Sequence, residues 1–162
     1  MKADGVRERW ELRSDVGVGP LLFGMSPAEV AEALRVSEPR VRVGGPYAQE
    51  DFADGIKAFY DVSRLACVAL DAVIGPQVFL AGLPLAGSDW GQTQQSLLDH
   101  AGEHGNCILF TGDGSYSLTD LGILIRAQRV GDAWLTRPLF VKEEWLDSQY
   151  YRDHLPLERV TD

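Results

Sequence analysis

The sequence predicts an α+β fold of two pseudo-repeated units, each a short strand, a capped helix and an antiparallel β-meander. Three observations carry this. The stretch Gly17-Val18-Gly19-Pro20-Leu21-Leu22-Phe23-Gly24-Met25-Ser26-Pro27-Ala28-Glu29-Val30 is an apolar strand, punctuated by Gly and Pro, that runs into a helix start. Ser26 takes the N-cap, Pro27 the first helical position, and Glu29 closes a Ser-x-x-Glu capping box. A weaker echo follows at Leu83-Pro84-Leu85-Ala86-Gly87-Ser88-Asp89-Trp90-Gly91-Gln92. The spacing of later features is also nearly constant: Ser26 and Ser88, Val41 and Cys107, Gly55 and Gly122, and Leu65 and Trp134 lie 62, 66, 67 and 69 residues apart. A helix on one side of a meander is an α+β layer. Two such layers, back to back or edge to edge, give one domain over 1–162, with repeats at about 16–76 and 77–142 and a C-terminal tail.

Each element has a local reason. Trp10-Glu11-Leu12-Arg13 reads as a short edge strand or a lead-in. The first helix runs from Pro27 to about Val36, with Val30, Ala31 and Leu34 inward, and Pro39 closes it. Val41-Arg42-Val43 alternates as a strand, Ala48 to Gly55 reads as a polar loop, and Ile56 to Val62 and Leu65 to Ile74 read as strands stopped by Gly75-Pro76. The second unit gives a strand at Gln77–Ala81, a turn region at Gly82–Gly87, and a helix from about Trp90 to Ala101. Ser88 or Asp89 caps that helix and Gly102 ends it. Strands follow at Asn106–Phe110, Tyr116–Leu118, Leu121–Ala127 and Trp134–Val141; Pro138 marks the last as an edge or a bulge. Lys142 to Tyr151 is ambiguous between helix and strand, and the segment from Leu155 reads as a poorly ordered tail.

Composition excludes several classes. The 162 residues, 45% hydrophobic and 24% charged, suit one globular domain. No apolar run reaches the roughly 20 residues that span a membrane, and the charged first ten residues lack a signal core, so a cytoplasmic protein is expected. Cys67 and Cys107 sit in apolar strand-like runs and read as buried reduced thiols. The formal net charge is −9, and the stretch between Arg64 and Arg126, which has no Lys or Arg, contributes six of those charges through Asp71, Asp89, Asp99, Glu103, Asp113 and Asp120. Without clustered cations, nucleic acid and anionic membrane surfaces are poor partners; a basic protein is a good one.

Chemistry-bearing motifs are weak. His100-Ala101-Gly102-Glu103-His104 has the H-x-x-E-H zinc spacing, but Gly102 and Gly105 place it at a fraying helix end, where histidines are favoured by the dipole alone. Gly17-x-Gly19 lacks the third glycine of a dinucleotide loop. Cys107 with His100 or His104 would make a nucleophile and base only if the thiol left its strand environment, and Asp51 and Asp54 read as solvated loop charges. No catalytic residue, metal ligand or cofactor is expected. The aromatics Trp134, Trp145, Tyr150 and Tyr151 are interleaved with Glu143, Glu144, Asp147 and Asp153. Tyr and Trp are common contact anchors, and an acidic rim steers basic partners; the rival reading packs Trp145 and Tyr150 on the core.

The Gly24-Met25-Ser26-x-x-Glu29-Val30 segment resembles the strand-to-helix motif of BamE-like outer-membrane assembly factors, and the motif that occurs once per unit in tandem-repeat β-lactamase inhibitor proteins. Gly-Pro-Leu-x-Phe-Gly-Met-Ser-Pro-x-Glu-Val is similar to openings of small bacterial proteins loosely grouped with immunity-type modules. The resemblance covers about 15 residues and implies a capped helix more than a function. The chain departs from the first two families in lacking a lipoprotein cysteine and an inhibitor's disulfides. The expectation is therefore a non-catalytic protein-binding module of inhibitor or immunity type. Its acidic face would use Asp99, Glu103, Asp113, Asp120, Glu143, Glu144, Trp145, Tyr150 and Tyr151 against a basic partner. A small-molecule pocket between the two layers and a structural role in an assembly are the alternatives.

Overall fold

The computed structural model describes residues 7–44, 48–110 and 114–146. The expected lead-in strand is two, β1 (Arg9–Trp10) and β2 (Leu12–Arg13), because the chain bends at Glu11 to serve separate sheets. Strands β3 (Gly17–Val18) and β4 (Leu21–Leu22) form a tight hairpin turning on Gly19. A side chain on Gly19 would start 2.3 Å from the Trp10 ring, at a φ of +57°. Helix α1 (Pro27–Leu34) begins as its sequence predicts: the Glu29 amide donates to Ser26 Oγ (3.2 Å) and the Ser26 amide to Glu29 Oε1 (3.0 Å). It stops before Pro39, on Arg35 in the left-handed conformation.

Losing this cap should be measurable. Ser26→Ala is expected to cost about 1 kcal/mol and to lower the melting temperature by about 2–4 °C. The hydrogen bonds from the Ser26 backbone and hydroxyl hold the Glu29 carboxyl below its usual range. A depressed folded-state pKa stabilises above the unfolded value and fades as pH falls through the folded one. The gap between wild type and Glu29→Gln, followed by thermal melts, should therefore close as the pH drops below about 4.

The first meander is β5 (Val41–Val43), β6 (Gln49–Phe52), β7 (Ile56–Asp61) and β8 (Arg64–Leu70). Strand β6 corrects the polar loop expected at Ala48–Gly55. Its sequence, Gln-Glu-Asp-Phe, shows no apolar alternation because the inward position after Gln49 is a charge: Glu50 is buried. Tyr60 Oη donates to Glu50 Oε1 (2.6 Å) and Arg42 Nε to Glu50 Oε2 (2.7 Å), which makes that burial tolerable. Burial, reinforced by the bond to Glu50, pushes the Tyr60 phenol far above its ordinary pKa, so it remains a donor.

Residues 71–76 then carry the chain to the second half. Arg7 Nε and an Arg7 terminal nitrogen both donate to the Gly75 carbonyl, at 2.9 and 2.6 Å. Gln128 bridges the Asp71 carboxylate and the Ala72 amide. Strands β9 (Gln77–Leu80) and β10 (Leu83–Pro84) form a hairpin where a turn was expected. Helix α2 (Trp90–His104) is capped by Asp89, which accepts the Gln92 amide at 3.0 Å. Gly102 lies inside the helix, which ends instead on Gly105. The second meander is β11 (Ile108–Phe110), β12 (Tyr116–Leu118), a 3₁₀ turn at Thr119–Leu121, β13 (Ile123–Val130) and β14 (Ala133–Val141); a short helix, α3 (Glu143–Leu146), follows.

Among the described residues fourteen strands make one eight-stranded antiparallel sheet and two small three-stranded ones, so the fold is mixed α+β. The large sheet runs β11-β12-β13-β14-β8-β7-β6-β5. It is two four-stranded meanders that meet edge to edge through their last strands, with Leu139 opposite Ala69, Phe140 opposite Val68 and Val141 opposite Cys67. Pro138 is tolerated because β8 pairing begins only at Leu139. Strand alternation gives the sheet two buried faces. Ile56, Ala58, Val68, Phe140 and Ile123 face the helices and join Val30 and Leu97 in the main core. Phe59, Cys67, Ala69, Leu124 and Leu139 face the other way and pack with Trp145. Cys67 is buried as expected, whereas Cys107 is exposed, because it precedes an edge strand instead of lying within a covered one. Among the described residues no helix is long and apolar enough to cross a membrane.

Candidate functional site

The structure divides the acidic residues singled out in the sequence between the two sides of the large sheet. Helix α2 turns Thr93, Leu97 and Ala101 inward. That leaves Asp99 and Glu103, four residues apart, together on its solvent side, with Gln95 Nε2 donating to Asp99 at 3.0 Å. Asp120 is exposed in the 3₁₀ turn and accepts the Cys107 amide (3.2 Å), which ties it to the start of β11. Glu143 and Glu144 belong to α3, on the opposite face. There Glu144 pairs with Lys142 (3.2 Å), and the Glu143 amide donates to Asp15 (2.7 Å). Asp113, Tyr150 and Tyr151 lie outside the described residues.

Trp145 is 1% exposed and belongs to the second core cluster. The core reading of this residue is therefore the one the structure shows; its indole seats α3 on the sheet and offers no surface to a partner. Two further acids of the Lys/Arg-free stretch are also structural. Asp89 is the α2 cap, and Asp71 accepts the Val73 and Ile74 amides and the Gln128 side chain.

Aromatic anchors are present elsewhere. Phe110 on β11 and Trp134 on β14 are 56% and 53% exposed. The register Phe110–Tyr116–Ile125–Pro138 across four strands, with Trp134 four residues along from Pro138, puts both on the helix-side face. Three strand spacings and four residues of rise separate them by about 20 Å. Between them Trp90, at the start of α2, packs its ring 5.0 Å from Tyr116, and Phe110 lies 6.3 Å from the same ring. The Tyr116 hydroxyl is buried without a hydrogen-bond partner, and burial raises its pKa, so it stays a neutral phenol. Pattern reasoning passes over Phe110 because a Cys-Ile-Leu-Phe run looks like core; only the place of β11 at the sheet edge exposes it.

The His100-x-x-Glu103-His104 motif lies in the last turns of α2. His100 and His104 stack at 4.1 Å, with His104 Nδ1 bonded to the His100 carbonyl (2.9 Å). Among the described residues no three His, Cys, Asp or Glu side chains gather as metal ligands would. The chain matches no family model, no curated protein and no solved structure. An open cleft of about 590 Å³ lies between β1 and α1, lined by Glu8, Arg9, Trp10, Arg35 and Asp54 among others. Its described lining brings the carboxylates of Glu8, Glu11 and Asp54 together with the guanidinium groups of Arg9 and Arg35.

Proposed function

We propose that this protein is a non-catalytic, cytoplasmic protein-binding module of inhibitor or immunity type, built from two copies of one unit, and that its second half contacts a basic partner. The observation that carries the reading is the pair Phe110 and Trp134. Each is more than half exposed, Phe110 on the edge strand β11 and Trp134 near the start of β14, and both lie on one face of the sheet. Exposed aromatics on rigid strands are effective anchors because little side-chain freedom is lost on binding. Asp99, Glu103 and Asp120 lie in the same half, inside a stretch of 61 residues, 65–125, without Lys or Arg, and would select for basic partners. The contact surface is thereby narrowed from the acidic set as a whole to these three acids and two aromatics.

Matched backbone hydrogen bonds support the two-copy reading. The Gly24 amide donates to the Leu65 carbonyl and the Leu65 amide to the Met25 carbonyl, both at 2.8 Å. Gly87, Thr136 and Ser88 repeat this pair, again at 2.8 Å for each bond. Ile56 opposite Leu70 and Phe52 corresponds to Ile123 opposite Phe140 and Leu118. Such a pair of units joined at β8 and β14 makes a wide, stiff scaffold, suited to presenting a surface of the roughly 800 Å² that a stable partner covers.

The test is capture at low ionic strength on immobilised protein. A basic protein should be retained by wild type, lost from the Phe110→Ser/Trp134→Ser variant, and released by about 0.5 M salt, where screening is short-ranged. Equal retention by the variant, or an acidic captured protein, would contradict the reading. The 590 Å³ cleft favours a second reading, small-molecule binding, since its volume falls in the usual range for ligand sites. That reading predicts a ligand-induced rise in melting temperature that is abolished by Arg35→Glu and untouched by the Phe110/Trp134 substitutions.

A further inference from the structure

The eight-stranded sheet ends differently on its two sides. At one end β5 carries Arg42 between Val41 and Val43, and Arg42 pairs with Glu50 on β6. Arg40, just before β5, pairs with Asp51 (3.6 Å). Charge along an outermost strand guards it against further strand pairing. At the other end, β11 and the residue before it read Cys107-Ile108-Leu109-Phe110, without a charge. Among the described residues, β12 alone pairs with β11.

The backbone of β11 is oriented for pairing outward. The Cys107 amide donates inward, to the Asp120 carboxylate in the turn that follows β12 (3.2 Å). Successive residues of a strand direct their peptide groups to opposite sides. Leu109 therefore repeats the inward direction of Cys107, and the amides and carbonyls of Ile108 and Phe110 face out from the sheet. The side chains suit the same use. Phe110 is exposed on the helix-side face, beside Tyr116, and Leu109 is 52% exposed on the opposite face, beside Ser117. An added strand would find an apolar neighbour on either face.

Charge selects the occupant. Asp120 is tied to the start of β11, and Glu103 lies in the last turn of α2, close before Cys107 in the chain. Asp99 is one turn further back on the same side of that helix. A second copy paired edge to edge would bring the same acids and no cation from residues 65–125. An extended basic segment would bring their complement.

We propose, building on the partner-binding reading above, that β11 is an acceptor edge. An extended segment of the basic partner, apolar at alternate positions and flanked by Lys or Arg, pairs with it as a ninth strand. Main-chain hydrogen bonds to Ile108 and Phe110 hold the segment, and the acids beside β11 select its flanks.

The probe is the synthetic peptide acetyl-Lys-Lys-Val-Thr-Val-Thr-Val-Lys-Lys-amide, added to the full chain at low salt. Residue-resolved amide hydrogen exchange should slow at Ile108 and Phe110 by at least about tenfold and stay unchanged along β5. This protection should vanish at about 0.5 M salt, and the same peptide with Glu in place of Lys should not produce it. Peptide that binds without slowing these two amides overturns strand addition, and leaves the partner-binding face to be judged by the Phe110→Ser/Trp134→Ser capture. Equal protection by the acidic peptide, protection of β5 instead, or no protection at about 1 mM peptide overturns the proposal as well. Protection that rises with protein concentration alone, alongside a dimer in sedimentation, means that the occupant is a second copy and overturns the basic segment.

Discussion

Phe140→Ala should destabilise the protein by about 3–5 kcal/mol, a large share of the roughly 5–15 kcal/mol available to a domain. The melting temperature should fall by about 10 °C. Phe140 is fully buried and lies opposite Val68 where the two meanders join, with Ile123 on its other side. Its ring belongs to the main core shared by α1, α2 and both halves of the sheet. Truncation removes contacts at the seam where the two meanders join, so no single layer can collapse into the gap. Denaturant unfolding followed by tryptophan fluorescence would measure the loss. A cost below about 1 kcal/mol would mean that the join is not a structural centre.

The second large effect is a difference between two glycines with similar backbone hydrogen bonds. Gly24 and Gly87 each have positive φ, +96° and +72°, and each donates its amide to a strand carbonyl. A side chain added at Gly24 meets nothing within 4 Å, whereas one added at Gly87 starts 2.3 Å from the Ala72 carbonyl oxygen. Gly24→Ala should therefore cost only the left-handed backbone penalty, about 1–2 kcal/mol. Gly87→Ala adds a clash with rigid backbone, a further 1–3 kcal/mol or so, because residues 71–76 are pinned by Arg7 and Gln128 and cannot move away. Parallel denaturation curves of the two variants would show it; equal costs would mean that the 71–76 segment yields.

Local signals in the sequence translate directly into structure where the physics is local. The Ser26–Glu29 capping box needs only neighbours in the chain and forms as written, and of the two caps open to the second helix, Ser88 and Asp89, the structure uses Asp89. The α+β class follows from the same signals. Strand β6 was hidden because its buried position holds Glu50, whose tolerance depends on Tyr60 and Arg42, residues ten and eight positions away. The pairing of β14 with β8 was equally out of reach, since hydropathy marks both as covered strands but not as each other's neighbours. That one pairing decides much of the candidate site. It sends α2 and α3 to opposite faces, which separates Asp99 and Glu103 from Glu143 and Glu144. It also buries Trp145 and leaves Phe110 at an edge.

A photoactivatable benzoylphenylalanine placed at position 110, with position 62 as control, tests the proposed contact surface most directly. Phe110 and Val62 are both well exposed, 56% and 69%, on opposite halves of the sheet. Irradiated in living cells, the position-110 probe should form a discrete adduct with a basic protein, lost when Asp99 and Glu103 are changed to Lys, and the position-62 probe should not form it. The same adduct from both positions, or none from position 110, would contradict a partner-binding face built on Phe110 and Trp134.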